Sequence, residues 1–216
     1  MTWKDINIKT YNELYKLTSN ALLNDNERDL RVAALLNGIS YEEILEQPLD
    51  KTREMSAKMD FLFERPKKGK CKKEYKFNGR DYKLLRDMSE MTTAQYIDYT
   101  TVMTGKFEEN IIPILSIILV PKGHIYNDGY DMEEVREDVS NLNVEEALGI
   151  CDFFIKKYRR LLKATLLYSS VIIRLQLRKL PKDKRQVLEP LLKEQNQKVR
   201  ELLSQFGSDW LKRLLK

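Results

Sequence analysis

The stretch from Asn143 to about Leu180 constrains this chain most. It contains no proline, and its one glycine, Gly149, sits near the start. Apolar residues recur through it at helical spacing: Val144, Ala147, Leu148, Cys151, Phe154, Ile155, Tyr158, Leu161, Leu162, Leu166, Ile172, Ile173 and Leu175. Asn143 is a good N-cap, Glu146 occupies the capping-box position, and Pro181 stops the run. A helix of this length is roughly 55 Å long at 1.5 Å per residue. That exceeds the width of a small domain, so the helix is expected to leave the body that begins it.

The residues before it read as a series of short helices interrupted once. Asn7 caps a helix over about Ile8–Leu23, with Tyr11, Leu14, Tyr15, Leu17, Ala21 and Leu22 facing inward. Asn24-Asp25-Asn26 turns into a second helix over about Glu27–Leu36, closed by Asn37-Gly38. Ser40 with Glu43 forms a capping box opening a short helix that Pro48 stops, and a further helix follows over about Asp50–Leu62. The basic segment Pro66–Lys73 then reads as flexible. Beyond it, Glu74–Phe77 and Arg80–Leu84 flank Asn78-Gly79, a pair suited to the two positive φ angles of a type I′ hairpin turn. Thr92 with Gln95 caps a helix to about Thr104 whose core face is Ala94, Ile97 and Val102. Asn110–Val120 reads as a very apolar, central helix with Pro113 in its first turn. Pro121–Tyr130 is a loop, and Asp131 with Glu134 caps a short helix to Val139.

After Pro181, a helix over about Lys182–Phe206, kinked at Pro190, is expected to fold back as a helical hairpin. The fold class is therefore mainly α. A compact helical body (1–142) carries one small β-hairpin (74–84), followed by a long helix and a C-terminal helical arm (143–216).

Signatures of chemistry are few. His124 is the only histidine, with no cysteine cluster to complete a zinc site and no nucleophile motif to serve. It is expected to fix its loop through a hydrogen bond. The loop Asn127–Asp131 lacks the spacing and the twelfth-position glutamate of a calcium loop, and a turn followed by an N-cap accounts for it. No glycine-rich phosphate-binding motif occurs. The acidic pairs Glu42-Glu43, Glu108-Glu109, Glu133-Glu134 and Glu145-Glu146 fall in first helical turns, where negative charge offsets the helix dipole. Neither catalytic residues nor a cofactor or metal is expected. Cys71 and Cys151 are far apart, so a reduced compartment is the default. The first residues lack the apolar core of a signal peptide, and the apolar runs are too short or too charged to span a bilayer.

Charge is segregated. Lys156–Lys216 holds 17 Lys and Arg against 5 Asp and Glu, a net of +12. The whole chain is +5, so the remainder is −7. Such a dipolar chain suits head-to-tail contact between copies, or an arm set against something acidic. The residues placed at such a contact are Lys156, Lys157, Arg159, Arg160, Arg174, Arg178, Lys179, Lys182, Lys184 and Arg185. With the second cluster, Lys67, Lys68, Lys70, Lys72 and Lys73, they also leave open nonspecific contact with DNA phosphates.

Three stretches taken together resemble a family. Trp3–Ile8 leads into a helix; Asn78-Gly79 precedes Thr92–Tyr99; Ile117–Val120 runs into Pro121-Lys122-Gly123-His124-Ile125-Tyr126-Asn127-Asp128-Gly129-Tyr130-Asp131. Their order resembles small morphogenesis proteins of tailed bacteriophages of Bacteroidetes, including the crAss-like group. The resemblance covers roughly Met1–Leu162. It implies a non-enzymatic ring, neck or tail component of the virion, assembled in the host cytoplasm with copies of itself and other phage structural proteins. The alternative it implies is a tail assembly chaperone that binds a tape-measure protein and leaves.

Overall fold

In the computed structural model of the chain, the hairpin forms over the residues its turn implies. β1 (Glu74–Phe77) pairs antiparallel with β2 (Arg80–Leu84), with Asn78 at φ 46° and Gly79 at φ 80°. The structure describes residues 1–178 together with 190, 193, 194 and 197. Among these, eight α-helices and a three-stranded sheet give a mainly helical fold.

The third strand is a correction. The apolar helix α6 (Phe107–Ile118) stops at Ile118, and β3 (Leu119–Pro121) pairs antiparallel with β2. A hairpin alone is marginally stable. Extending it with Leu119 and Val120 buries both residues while keeping their backbone hydrogen-bonded. The helix also begins earlier than Asn110, so Pro113 is its seventh residue rather than part of its first turn.

α1 (Ile8–Thr18) is capped by Asn7, whose side chain accepts from the Thr10 N–H, but it ends before Leu23. Thr18 turns its hydroxyl back to the Leu14 carbonyl, and Asn20 accepts the Leu22 N–H. These local bonds compete with helix continuation. Leu22 is consequently 93% exposed rather than inward, and Ala21 is exposed with it. α2 (Asp25–Asn37), capped by Asn24, ends on Gly38 at φ 68°. α3 (Tyr41–Leu45) carries the complete Ser40–Glu43 capping box. α4 (Leu49–Ala57) is shorter than read, giving way to a 3-10 turn at Asp60–Phe63. α2, α3 and α4 share a small core of Ala33, Ala34 and Ile44, flanked by Leu30, Ile39, Met55 and Met59.

α5 (Thr93–Val102) starts at the Thr92–Gln95 box but buries a different face. Ala94 and Ile97 are exposed, while Gln95 and Tyr99 are buried. The Gln95 amide donates to the Ile117 carbonyl. Because α6 gives way to a strand, its last-turn carbonyls lack helical partners, and Gln95 supplies one.

α6 packs against α1, α5 and α7 (Met132–Ser140), and Ile111, Ile114, Leu115 and Ile118 form the centre of the core with Val135, Val139, Leu148 and Cys151. α7 is capped by Asp131, which accepts from the Glu133 N–H. The long helix α8 (Val144–Arg178) starts at Asn143, whose side chain accepts the Glu146 N–H at 2.9 Å. Asn7 and Asn143 form a backbone bridge, with Ile8 N–H donating to Leu142 and Val144 N–H to Ile6, each at 2.9 Å. Two helix starts are thereby tied together.

The chain divides into two compact units, Met1–Phe153 and Phe154–Lys216. Apart from residues 190, 193, 194 and 197, which have helical backbone, the expected fold-back over Lys182–Phe206 lies outside the described residues.

Candidate interaction surfaces

The basic segment Pro66–Lys73 is not the flexible tether its composition suggests. It lies across the first turns of α8. The Gly69 N–H donates to the Glu145 carbonyl at 2.7 Å, Lys68 Nζ meets Asp152 Oδ1 at 2.6 Å, and Lys72 Nζ meets Glu146 Oε1 at 2.7 Å. Two glycines permit the crossing. A Cβ on Gly149 would lie 2.9 Å from the Gly69 carbonyl carbon, and one on Gly69 would lie 2.9 Å from the Glu145 oxygen. Two of the five lysines considered for phosphate contact, Lys68 and Lys72, therefore hold the strap. A glycine inside a strong helical pattern was the signal for such an approach.

The hairpin is locked to α7 by Asp138, whose side chain is 4% exposed. Its Oδ2 accepts from Tyr82 at 2.5 Å and from Arg80 at 3.4 Å, and its Oδ1 accepts from Asn78 at 2.6 Å. Arg80 also reaches Glu134 at 2.9 Å. Beside this lock lies a cleft of about 400 Å³ that includes Arg80, Lys122, His124, Tyr130 and Glu134. His124 sits at its rim with its ring edge-on to Tyr130, 5.8 Å between centroids. This ring contact stands in place of the hydrogen bond expected of it.

A second cleft, of about 530 Å³, opens between α5 and α7. Asp98, Asp131 and Glu133 line it with Tyr126, Met132 and Arg136. Asp98 accepts from the Tyr126 hydroxyl at 2.9 Å, and Glu133 is paired with Arg136. From Asp128 to Asp138 the chain carries six acidic residues and one basic residue. This face of the first unit is its densest run of negative charge.

The basic residues read from the sequence begin on the part of α8 that belongs to the second unit. Lys156 and Arg160 are exposed, and Lys157 and Arg159 half-buried. Arg174 and Arg178 have helical backbone, and Lys179, Lys182, Lys184 and Arg185 lie outside the described residues. Following the cluster, Leu161, Ala164, Tyr168, Val171 and Leu175 are exposed, although the helix pattern alone marks Leu161 and Leu175 as core.

Several phenols sit in surroundings that oppose ionisation. Burial, with the Glu108 carboxylate and then Tyr15 adding to it, pushes Tyr11 up to about 12. Burial foremost, then the Asp138 hydrogen bond, holds Tyr82 well above the ordinary range; burial and then Asp98 do the same for Tyr126. Each folded-state value exceeds the unfolded value of about 10, so the folded state holds these protons more tightly. Their contribution to stability is whole below pH about 10 and is lost above it, for Tyr11 as pH rises through about 12. Denaturant midpoints are expected to hold steady up to pH about 9 and to drop by pH about 11, together with rising phenolate absorbance. A midpoint that stays flat across that window would rule this out.

No protein family, curated protein or solved structure matches the chain.

Proposed function

We propose that this protein is a non-enzymatic structural subunit that assembles with its own copies through surfaces of opposite charge. The observation that carries the reading is where the charge divides. The first compact unit, Met1–Phe153, has a net charge of −7, and the second, Phe154–Lys216, one of +12. Two unlike, complementary surfaces on one chain favour a heterologous contact, which repeats from subunit to subunit and closes into a ring when the rotation permits. Attraction of this kind also steers subunits together and suppresses wrong orientations. On the resemblance of Met1–Leu162, the assembly is a ring at the neck or tail of a tailed phage.

The test has two parts. Sedimentation at low ionic strength is expected to give oligomers that fall apart as salt is added, because exposed charges more than about 8 Å apart are screened at physiological salt. Arg160→Glu with Lys163→Glu should abolish them, and Asp128→Lys with Glu137→Lys should restore mixed oligomers with that variant. Proteomics of purified particles should find the chain at fixed stoichiometry. A monodisperse monomer at high concentration, absent from particles, would overturn the proposal. Oligomers in the lysate but no chain in the particle would instead indicate the transient chaperone. DNA binding with a steep salt slope would indicate a nucleic-acid accessory role.

A further inference from the structure

The basic cluster on α8 gives way to a different surface. Leu161, Ala164, Tyr168, Val171 and Leu175 are all exposed, Tyr168 at 69% and Val171 at 54%. Their spacing is 3, 4, 3 and 4 residues, the two-heptad spacing of a coiled-coil seam. Leu161, Tyr168 and Leu175 occupy one set of heptad positions and are large. Ala164 and Val171 occupy the other and are small. In a parallel pair, like positions face each other, stacking large on large and leaving Ala164 opposite Ala164. In an antiparallel pair, the two sets face each other, so Leu161 meets Val171 and Tyr168 meets Ala164. Interleaving large and small residues is what fills a core without voids.

We infer that this seam is a two-fold, antiparallel contact between two copies of the chain, with Leu161 against Val171 and Ala164 against Tyr168 of the other copy. Charge favours this register over a parallel pair. It sets the cluster Lys156–Arg160 level with residues 172–176, which contain one charge, Arg174. A parallel pair would set that cluster against itself. The five side chains of each copy together cover on the order of 1,000 Å², the least that a specific interface needs. The dimer is therefore weak, and dilution dissociates it. This contact is separate from the acid–base contact proposed above and answers to salt in the opposite sense. Residual repulsion between basic arms is screened, so the dimer tightens as salt rises.

Cysteine cross-linking tests the register. Cys71→Ser removes the partly exposed native thiol, and Cys151 is fully buried. In that background, an equimolar mixture of Leu161→Cys and Val171→Cys proteins is expected to form a disulfide-linked heterodimer under a mild thiol oxidant. Neither variant should cross-link to itself, because antiparallel pairing separates like positions by ten residues, about 15 Å, beyond the reach of a disulfide. Tyr168→Glu in the otherwise native chain should raise the dimer dissociation constant at least tenfold while leaving the circular dichroism unchanged. Efficient self-cross-linking of the single variants would mean a parallel pair and overturn the inference. So would failure of the mixture to cross-link, the result expected if residues 182–206 of the same chain cover the seam. Oligomers that dissolve in salt without this cross-link would leave the charge-based assembly standing and this contact refuted. The cross-link without such oligomers would do the reverse.

Discussion

Gly149→Ala is expected to destabilise the protein by about 2–4 kcal/mol, although helix propensity alone favours alanine over glycine in a helix interior by about 1 kcal/mol. Two considerations thus predict opposite signs, and the geometry decides between them. Gly149 lies inside α8, where the Pro66–Lys73 strap crosses. An alanine Cβ there would collide with the Gly69 carbonyl, which is backbone and has no rotamer by which to yield. The strap must lift. Lifting it breaks the Gly69–Glu145 hydrogen bond and separates Lys68 from Asp152, whose side chain is only 12% exposed. Losing a hydrogen bond costs about 1 kcal/mol, and drawing the Lys68 ammonium away from a largely buried carboxylate costs more. Partial solvation of Lys68 keeps the sum below the full cost of a buried pair. Limited proteolysis reads the same event locally. The strap contains five lysines, so trypsin should cut within Lys67–Lys73 much faster in Gly149→Ala than in the native chain. An unchanged or raised melting temperature, with no faster cutting, would show that the strap does not bear on α8.

The strap also shows where the sequence ceases to be legible. Five lysines in eight residues look solvated because their partners are remote: Asp152 is 84 residues from Lys68, and Glu146 is 74 from Lys72. Local features carry over well. Asn78-Gly79 must supply two positive φ angles, and Asn7, Asn24, Ser40, Thr92 and Asn143 each cap within three residues of themselves. Leu119 and Val120 are ambiguous by nature. A short apolar run fits the end of a buried helix as well as a strand, and only the pairing with β2 settles it. Gln95 displaces Ala94 and Ile97 from the core for a similar reason. Its burial follows from an orphan carbonyl at Ile117 that exists because α6 ends where it does. The candidate surfaces divide in the same way. The charge asymmetry can be counted along the chain, whereas the acidic cleft between α5 and α7 needs residues from Asp98 to Arg136 brought together.

Asp138 offers the second large effect, and a graded series of substitutions separates its causes. Leucine at this position should cost about 3 kcal/mol, mostly by stranding the Tyr82 hydroxyl, because Tyr82 is fully buried and would lose its acceptor. Asparagine keeps one carbonyl oxygen for Asn78 and turns an amide N–H toward Tyr82, whose oxygen can accept it. Its cost should be smaller, about 1–2 kcal/mol, the difference between a charge-assisted and a neutral hydrogen bond. The informative member is the double variant Asp138→Leu with Tyr82→Phe. Removing both partners of a buried bond is less harmful than removing one. The two single costs should therefore exceed the cost of the double by about 1–2 kcal/mol in a denaturation cycle. Strict additivity would mean that the hydroxyl and the carboxylate do not depend on each other, and the lock between the hairpin and α7 would have to be sought elsewhere. Because that lock sets the distance of α7 from the sheet, it also sets the width of the cleft that includes Arg80, Lys122 and Glu134. Asp138→Leu should accordingly weaken the assembly of copies in proportion to the folded fraction it removes, whereas Asp138→Asn should leave assembly intact.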